Sequence, residues 1–398
     1  MSLQLAEYVS TASLLEAAPA WDDLWRRSDV TLPTACAEFV TQWLQHFAPQ
    51  SRFHCLAVED QGQLVAAIPL VGRKIGRVVP AGGLPRNDWS PGGGELLLDP
   101  TADVDQALDL LVAGLRDVPW PLLWLDDVNI DASRYQALLA AFQRAKINVD
   151  VHSRFDVGRV ATDGDWSEYV NSRSKNFRRQ IKRAIKRAEG EGELKLNVLT
   201  EFSGDELETH LRQAFEIEDR GWKGEGQTSV LKTPGMFEFF VRQAKVLAQN
   251  GQLQLSFLQH NDRAIAFEYG LNAKGVYHGF KISYDDEFSD YSPGRVLLHL
   301  ILERMFENSQ WHEADRMGPI TASTSSFITS KYTIGRMVAA PKAMFGKTLL
   351  NFYQTCWPAV RRVRKSVRKV AALPTIKWSK ATHKATSQQD NPSGQASE

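Results

Sequence analysis

The sequence is short of cysteine and of long apolar runs. Its three cysteines, Cys36, Cys55 and Cys356, stand far apart and without paired spacing. This excludes a disulfide framework and the common zinc and dithiol redox motifs, so we expect buried thiols. No apolar run reaches the roughly eighteen residues that a membrane-spanning helix needs. The first residues also lack the basic-then-apolar order of a secretion signal, and we therefore expect a cytoplasmic protein.

Acidic residues are absent from residues 316–389, which contain fourteen Lys or Arg. Because the whole chain has 47 residues of each sign, residues 1–315 hold 33 basic residues against 45 acidic ones. This asymmetry favours either a basic tail that docks on its own acidic body or an anionic partner. From Leu349 onward the pattern is that of a basic amphipathic helix, and residues 353–369 are a candidate contact with an anionic membrane surface.

Apolar residues at helical spacing predict helices over Ser13–Ser28 and Ala37–Phe47, ahead of a strand pattern that occurs twice, about two hundred residues apart. Phe53–Glu59 and Leu64–Leu70 predict one hairpin, and Leu253–Gln259 and Ala264–Leu271 predict another. The repetition indicates a duplication and hence two similar α/β (α+β) domains, each a mixed, mainly antiparallel sheet flanked by helices. We predict domains at residues 1–155 and 156–345, followed by the basic helix and a polar tail over 346–398.

A candidate anion site follows the second hairpin. The strand-like run Val276–Ser283 leads to Ser292, which suits a helix N-cap, then Pro293 at the first helical position, and Gly294, which lets a ligand approach the backbone. The free N–H groups and the dipole at such a helix start favour phosphate. The corresponding segment of the first half, Trp89–Gly92, does not lead into a helix.

Three helices are predicted before the second hairpin, of which the third begins after Thr233 and ends at Gly251 and the first two carry candidate site residues. The first, Ser174–Ala188, has a narrow apolar stripe surrounded by basic residues, which form either a solvated face or a contact with an anionic acceptor or nucleic acid. The second, Asp205–Arg220, ends at a Gly-Trp-Lys-Gly segment. There Trp222 and Lys223 are candidates for a lid or acceptor site, or for packing under a turn.

These residues together resemble the acetyltransferase-like family of cellulose and exopolysaccharide biosynthesis proteins, a branch of the GNAT superfamily related to the FemAB peptidyltransferases. The resemblance covers about residues 21–335, and it implies tandem GNAT-like domains of which the first is degenerate. It also implies that the second binds acetyl-CoA or another acyl-CoA, without a metal. The residues that would hold the pyrophosphate are Ser292, Gly294, Arg295 and Val296.

Acyl transfer to an amine needs a base for the amine proton and an acid for the leaving thiolate. The carboxylates nearest the predicted strands are Asp285 and Glu268, and the phenols that could protonate sulfur are Tyr284 and Tyr332. His278 lies on the same strand and is a candidate for the substrate site, although a lone strand histidine is more often only packed.

The resulting hypothesis is an N-acyltransferase that moves an acyl group from acyl-CoA to an amino sugar or amino acid in envelope or extracellular polysaccharide biosynthesis. It would be cytoplasmic, with a possible site at the inner face of the membrane. Two alternatives stay open. One is a FemAB-like transferase that uses aminoacyl-tRNA and a peptidoglycan precursor, the only case in which nucleic acid is expected. The other is a non-catalytic protein that binds the membrane surface.

Overall fold

The computed structural model describes residues 3–75, 78–90, 93–342, 346 and 348–351, except for the side chain of Trp222. Residues 1–350 form one compact unit and residues 351–398 a second, of which only Asn351 is described. The predicted basic helix beyond Asn351, the predicted membrane contact and Cys356 therefore lie outside the described residues. Cys36 and Cys55 are free and buried, as predicted. Among the described helices, none combines the length and apolarity needed to cross a bilayer.

Helices and strands alternate through the first half and again through the second. The described helices are α1 (Thr11–Glu16), α2 (Ala18–Arg27), α3 (Ala37–Phe47), α4 (Val104–Gly114), α5 (Ser133–Arg144), α6 (Trp166–Ser172), α7 (Lys175–Glu189), α8 (Glu206–Asp219), α9 (Trp222–Glu225), α10 (Met236–Gln249) and α11 (Pro293–Phe306). The described strands are β1 (Gln4–Tyr8), β2 (Phe53–Asp60), β3 (Gln63–Ile75), β4 (Val79–Gly83), β5 (Leu97–Leu98), β6 (Leu122–Asn129), β7 (Asn148–Ala161), β8 (Leu194–Leu199), β9 (Leu253–His260), β10 (Arg263–Ala273), β11 (Val276–Tyr284), β12 (Glu313–Pro319) and β13 (Ser330–Ala340).

All the described strands belong to one sheet. Their order is β1-β2-β3-β4-β6-β13-β7-β12-β11-β10-β9-β8, and β5 pairs with β3. The pairing is antiparallel except for β4 with β6 and β11 with β12. A mixed, mostly antiparallel sheet flanked by helices is the predicted fold class, which is therefore confirmed.

The duplication is visible in strand positions and in turn geometry. The hairpins β2–β3 and β9–β10 begin at Phe53 and Leu253, and their turns place Gln61 and Asn261 in the left-handed region, both with φ of 52°. Each hairpin is followed by a strand, a crossover containing a helix (α4 or α11), and a parallel strand. The two halves of the chain thus repeat one unit.

The two halves exchange strands at the centre of the sheet. β13, near the end of the second half, lies between β6 and β7 of the first half. The far end of β7 pairs in turn with β12, with Ala161 opposite Glu313. The predicted boundary between residues 155 and 156 falls inside β7. Because the strands interlock, residues from both halves meet along β7, β12 and β13.

The sheet buries a different core on each face. Along β2, Cys55 and Ala57 belong to one hydrophobic cluster and Leu56 and Val58 to another, as the two-residue period of a strand requires. The first cluster is shared by both halves, because α2 and α3 meet α8 and α10 there. The opposite face is covered by α4 and α5 in the first half and by α6, α7 and α11 in the second.

Two predicted helix starts differ from the structure. The predicted helix over residues 13–28 is divided into α1 and α2 at Ala17, because Pro19 in the first turn of α2 has no N–H to continue the bonds of α1. Ser292 does precede α11, but its backbone is left-handed (φ 49°) and its side chain makes no capping hydrogen bond. The proline that follows disfavours a right-handed helical backbone at Ser292, but it favours an extended backbone and so does not account for the left-handed one.

Candidate active site

The sheet opens between the parallel strands β11 and β12. Their register ends with His278 opposite Asp315, although β11 continues to Tyr284 and β12 to Pro319. Helix α11 connects the two strands on one side of this opening. In open α/β sheets a crevice at the carboxyl ends of diverging strands is a common ligand site. The opening is therefore a candidate ligand-binding site.

The equivalent opening in the first half is filled by buried polar side chains. β4 and β6 pair only at Ala81 and Gly82. Beyond them Arg86, which is buried, donates to the Asp127 carbonyl of β6 at 2.5 Å and to the Glu95 carboxylate at 3.0 Å. This ion-paired network occupies the space between the strands.

A cleft of about 360 Å³ lies where the two halves meet. It is bounded by the loop between α2 and α3, by Arg86, Asp88 and Glu95, and by β6, β7, β11, β12 and β13. It is strongly polar, with both signs of charge. Its charged lining residues are Asp29, Arg86, Asp88, Glu95, Asp127, Arg134, Arg154, Arg159 and Asp315.

His278 is the buried, unpaired group of this cleft. Its side chain lines the cleft, and the residue is 2% exposed. Neither ring nitrogen has a hydrogen bond of acceptable geometry to any described residue, although the Thr31 backbone lies near the ring. Burial lowers the pKa of His278 below its ordinary value, partly opposed by the charge of Asp315. The imidazole is therefore neutral near pH 7 and has a nitrogen available to accept a proton.

Asp315 connects His278 with Tyr332 and Arg159. The Tyr332 hydroxyl donates to Asp315 Oδ2 at 2.9 Å, and the Met317 N–H donates to Oδ1 at 2.8 Å. The Arg159 guanidinium lies 4.2 Å from the centre of the Tyr332 ring. Burial, then the neighbouring Asp315 charge, raise the pKa of Tyr332 well above its usual range, so the phenol stays protonated.

Of the predicted site residues, His278 and Tyr332 are brought together in the cleft. Asp315 and Arg159 complete the cluster and were missed by sequence reasoning. They lie on β12 and β7, whose pairing connects distant parts of the chain. No local sequence pattern marks a histidine, an aspartate and a tyrosine that lie on three different strands. They become neighbours only because the two halves of the chain exchange strands.

Asp285 lies away from the cleft and is held by two arginines. Its carboxylate accepts from Arg220 Nε at 2.6 Å and from Arg263 at 2.8 Å, and the residue is buried. Burial acts to raise its pKa, but the hydrogen bonds from Arg220, from the Glu287 N–H and from Arg263 outweigh it and lower the pKa. A carboxylate stabilised in its charged form is a weak base.

Glu268 and Tyr284, the other predicted catalytic residues, also lie outside the cleft lining. Glu268 is fully buried and accepts from Tyr277 at 2.7 Å and from both terminal nitrogens of Arg316. Tyr284 packs beside Gly294 at the start of α11. These contacts are those of a buried ion pair and of a packing residue.

The start of α11 has fewer free N–H groups than predicted. The N–H groups of Arg295 and Val296 already donate to the Ser292 carbonyl, at 2.9 and 3.1 Å. Of the three predicted amide donors, this leaves Gly294 for an anion. The Arg295 side chain extends to α7, where it donates to Gln180 Oε1 at 3.0 Å.

Helix α7 lies against α11 and presents an unusual concentration of positive charge. Its predicted apolar stripe, including Phe177 and Ile181, is buried, and the structure places it against α11. Arg187 pairs with Asp290 at 2.8 Å. Six further exposed cations of α7 have no ion pair with a described residue. They are Lys175, Arg178, Arg179, Lys182, Arg183 and Lys186.

Lys223, a predicted substrate-site residue, takes part in a buried ion cluster. It donates to Glu218 at 2.8 Å, and Lys281 of β11 lies 2.9 Å from the same oxygen. Glu218 is fully buried, and its other oxygen accepts from the Val230 N–H. This cluster fixes the segment after α8. Among the described residues there is no group of three or more His, Cys, Asp or Glu side chains that could hold a metal ion.

Comparison with known proteins assigns a fold and a domain type. Residues 175–318 match the model of the acetyltransferase (GNAT) domain. This is a GNAT-type acyltransferase fold. The match includes α7, the opening between β11 and β12, and α11. No curated protein sequence matches the chain.

Solved structures similar to this fold span nearly the whole chain at low identity. FemX has a TM-score of 0.55 and 11% identity, over 89% of this chain and 99% of FemX. A conserved protein of unknown function from Bacteroides thetaiotaomicron VPI-5482 has a TM-score of 0.54 and 12% identity, over 84% and 100%. The C-terminal domain of a protein assigned as a lysylphosphatidylglycerol synthetase from Agrobacterium fabrum has a TM-score of 0.50 and 11% identity, over 86% and 95%. The likeness to FemX supports the predicted FemAB relationship at the level of the fold, and the cellulose-biosynthesis resemblance stays a prediction.

Proposed function

We propose that the protein is an N-acyltransferase that moves an acyl group from acyl-CoA to an amine held in the cleft. One observation supports this above the others. A buried, neutral histidine, His278, whose ring nitrogens have no hydrogen bond to another side chain, lies where β11 and β12 separate and faces a polar cleft. A base held in this way suits the deprotonation of an attacking amine.

His278 serves in turn as base and as acid. The amine nitrogen attacks the thioester carbonyl carbon, a C–N bond forms, and His278 accepts a proton from that nitrogen. The C–S bond then breaks, and the imidazolium gives its proton to the leaving sulfur. Because burial lowers the pKa of His278, its protonated form is a stronger acid than an ordinary imidazolium and releases the proton readily.

Asp315 acts on the histidine through its charge, and Tyr332 holds Asp315 by a hydrogen bond. A phenol whose pKa is raised well above 10 is a poor proton donor to a thiolate, whose conjugate acid has a pKa of about 8.5. The Tyr332 hydroxyl also already donates its hydrogen bond to Asp315. We therefore propose that Tyr332 is a positioning residue that orients the Asp315 carboxylate, and that it does not protonate the leaving sulfur.

The cleft favours an acceptor with a positive or hydroxyl-bearing group. Asp29 and Asp127 line the cleft but pair with Arg134 and Arg154, whereas Asp88 is exposed there and forms no ion pair with a described residue. Carboxylates of this kind bind an ammonium or a sugar hydroxyl. With the family resemblance, this supports an amino sugar or amino acid used in envelope or extracellular polysaccharide assembly.

The acyl donor would lie at the opening between β11 and β12. The N–H of Gly294 and the α7 cations beside the start of α11 are the groups that would bind its phosphates. The carbonyl end of the donor would then reach His278 along the opening.

The test is an acylation assay with acetyl-CoA and a panel of amino sugars and amino acids, followed by release of free thiol. We expect kcat to fall by about 10²–10⁴-fold in His278→Gln. His54→Gln is the matched control, since His54 is also a buried strand histidine without hydrogen bonds at its ring nitrogens, but does not line the cleft. Calorimetric binding of acetyl-CoA should survive in both variants. Turnover that is equal in both variants would refute the role of His278.

A second candidate function, transfer from aminoacyl-tRNA, is favoured by the six unpaired cations of α7. If they bind an RNA backbone, reversing Arg178, Lys182 and Lys186 to Glu should weaken tRNA binding at least about tenfold and reduce its salt dependence. The control is the pair Arg242→Glu and Lys245→Glu on α10, which are exposed cations of another helix. Turnover with aminoacyl-tRNA but not with acetyl-CoA would select this candidate.

A further inference from the structure

Two adjacent cavities lie beyond the amino-terminal ends of β11 and β12, apart from the start of α11. Their volumes are about 210 and 250 Å³, and both are lined by Gly251, Asn272, Gln310 and Trp311. The walls come from the loop after α10, from the turn between β10 and β11, and from the segment between α11 and β12. None of these lining residues lines the charged cleft.

Side-chain amides dominate these cavities. The carboxamides that line one or both are Asn250, Gln252, Gln254, Asn272, Asn308 and Gln310. In contrast to the charged cleft, no described carboxylate lines either cavity. Two cations border them. Lys274 already donates to the carbonyls of Trp25, Ser28 and Val30, whereas Arg304 is exposed at the end of α11.

Asn272 has an unsatisfied polar atom at this site. It is 6% exposed and lines both cavities, yet its Oδ1 has no hydrogen-bond partner among the described residues. The Oε1 of Gln252 is unpartnered in the same way. A buried acceptor left without a hydrogen bond destabilises the fold, and such groups are uncommon. A ligand that donates hydrogen bonds here would remove that cost.

We propose that the two cavities form a binding site for a neutral saccharide. A carboxamide both donates and accepts hydrogen bonds, as a sugar hydroxyl does, so a cluster of amides matches a polyhydroxylated ligand. Trp311 is half-buried and adds an aromatic surface for the apolar face of a sugar ring. The absence of described carboxylates disfavours a cationic ligand. The site does not depend on the proposed acyl transfer.

The test is ligand-observed NMR and calorimetry of the full chain with cellotetraose and maltotetraose, each up to about 10 mM. We expect at least one to bind, with affinity at least about tenfold lower in Gln310→Ala and in Asn272→Leu. Gln310 is exposed, so its loss leaves the fold intact. The matched control is Gln249→Ala, an exposed glutamine that lines neither cavity. His278→Gln should also bind the sugar normally, which separates this site from the proposed transfer reaction.

The thermal stability of Asn272→Leu tests the proposal independently of the binding measurements. Removing an unsatisfied buried amide should raise the melting temperature of the ligand-free protein while abolishing sugar binding. Three results would overturn the proposal: no binding of either tetrasaccharide, binding unchanged in both variants, or preferential binding of a neutral peptide amide used as a comparison ligand.

Discussion

Arg316 and Glu268 form a buried ion pair that reaches across the width of strand β11. Arg316 lies on β12 and Glu268 on β10, and the guanidinium crosses β11 at Gly279, where a Cβ would overlap it. Both terminal nitrogens of Arg316 donate to the two carboxylate oxygens. The pair therefore ties three strands together at the point where β11 and β12 begin to separate.

Replacing Arg316 by Met is expected to lower the free energy of unfolding by about 3–5 kcal/mol, because Glu268 is left as an uncompensated buried charge. The double variant Arg316→Met with Glu268→Gln should recover most of that loss, since the amide oxygen still accepts from Tyr277. Urea denaturation of the wild type and both variants measures the effect. A single variant within about 1 kcal/mol of wild type would show that the pair does not hold the strands.

His299 makes the stability of the fold depend on pH. Burial lowers the pKa of this α11 side chain to about 4, and its ring lies 5.0 Å from that of Trp166. Between pH 6.5 and 4 the unfolded chain binds more protons, so the free energy of unfolding falls as the pH falls. We expect His299→Leu to remove about 3 kcal/mol of this decline at pH 4. Denaturation at several pH values checks it, with His312→Gln as the exposed-histidine control, and parallel curves for wild type and His299→Leu would contradict it.

Local sequence patterns predicted much of the secondary structure. The two hairpins and α3 follow from apolar periodicity and turn residues, which act over a few positions. The duplication was also visible, because the strand positions repeat after about two hundred residues. Helix starts were harder, since Pro19 divides α1 from α2 through a missing N–H that the apolar period does not show.

The cluster in the cleft depends on pairing between distant segments. His278 and Tyr332 were candidates from their residue types, but their proximity follows from β13 crossing into the first half and β7 pairing with β12. The carboxylates Asp285 and Glu268 were predicted as catalytic residues only because they lie nearest the predicted strands. Their arginine partners come from other elements, and neither ion pair has a sequence signature.

The role of His278 predicts a particular pH dependence. The ratio of kcat/KM between wild type and His278→Gln should be constant above pH 6.5 and fall only below it, because the lowered pKa keeps the imidazole neutral to lower pH than usual. Taking the ratio cancels the ionisation of the acceptor amine, which is the same for both proteins. Rates measured from pH 5 to 9 test this. A ratio that is still rising above pH 7 would contradict a lowered pKa of His278, and a ratio near one at every pH would assign the base to another group.

Lys274 holds the α2–α3 loop over the cleft, and its loss should affect acceptor binding more than chemistry. Its ammonium donates to the carbonyls of Trp25, Ser28 and Val30. Residues 29–32 of the same loop line the cleft. In Lys274→Met we expect a loss of about 2–4 kcal/mol in unfolding free energy and a higher KM for the acceptor, with kcat changed less. Lys146→Met is the matched control, because both lysines have left-handed backbones, with φ of 52° and 56°, while Lys146 is exposed. A fall in kcat at unchanged KM would instead mean that the loop acts on the transfer step itself.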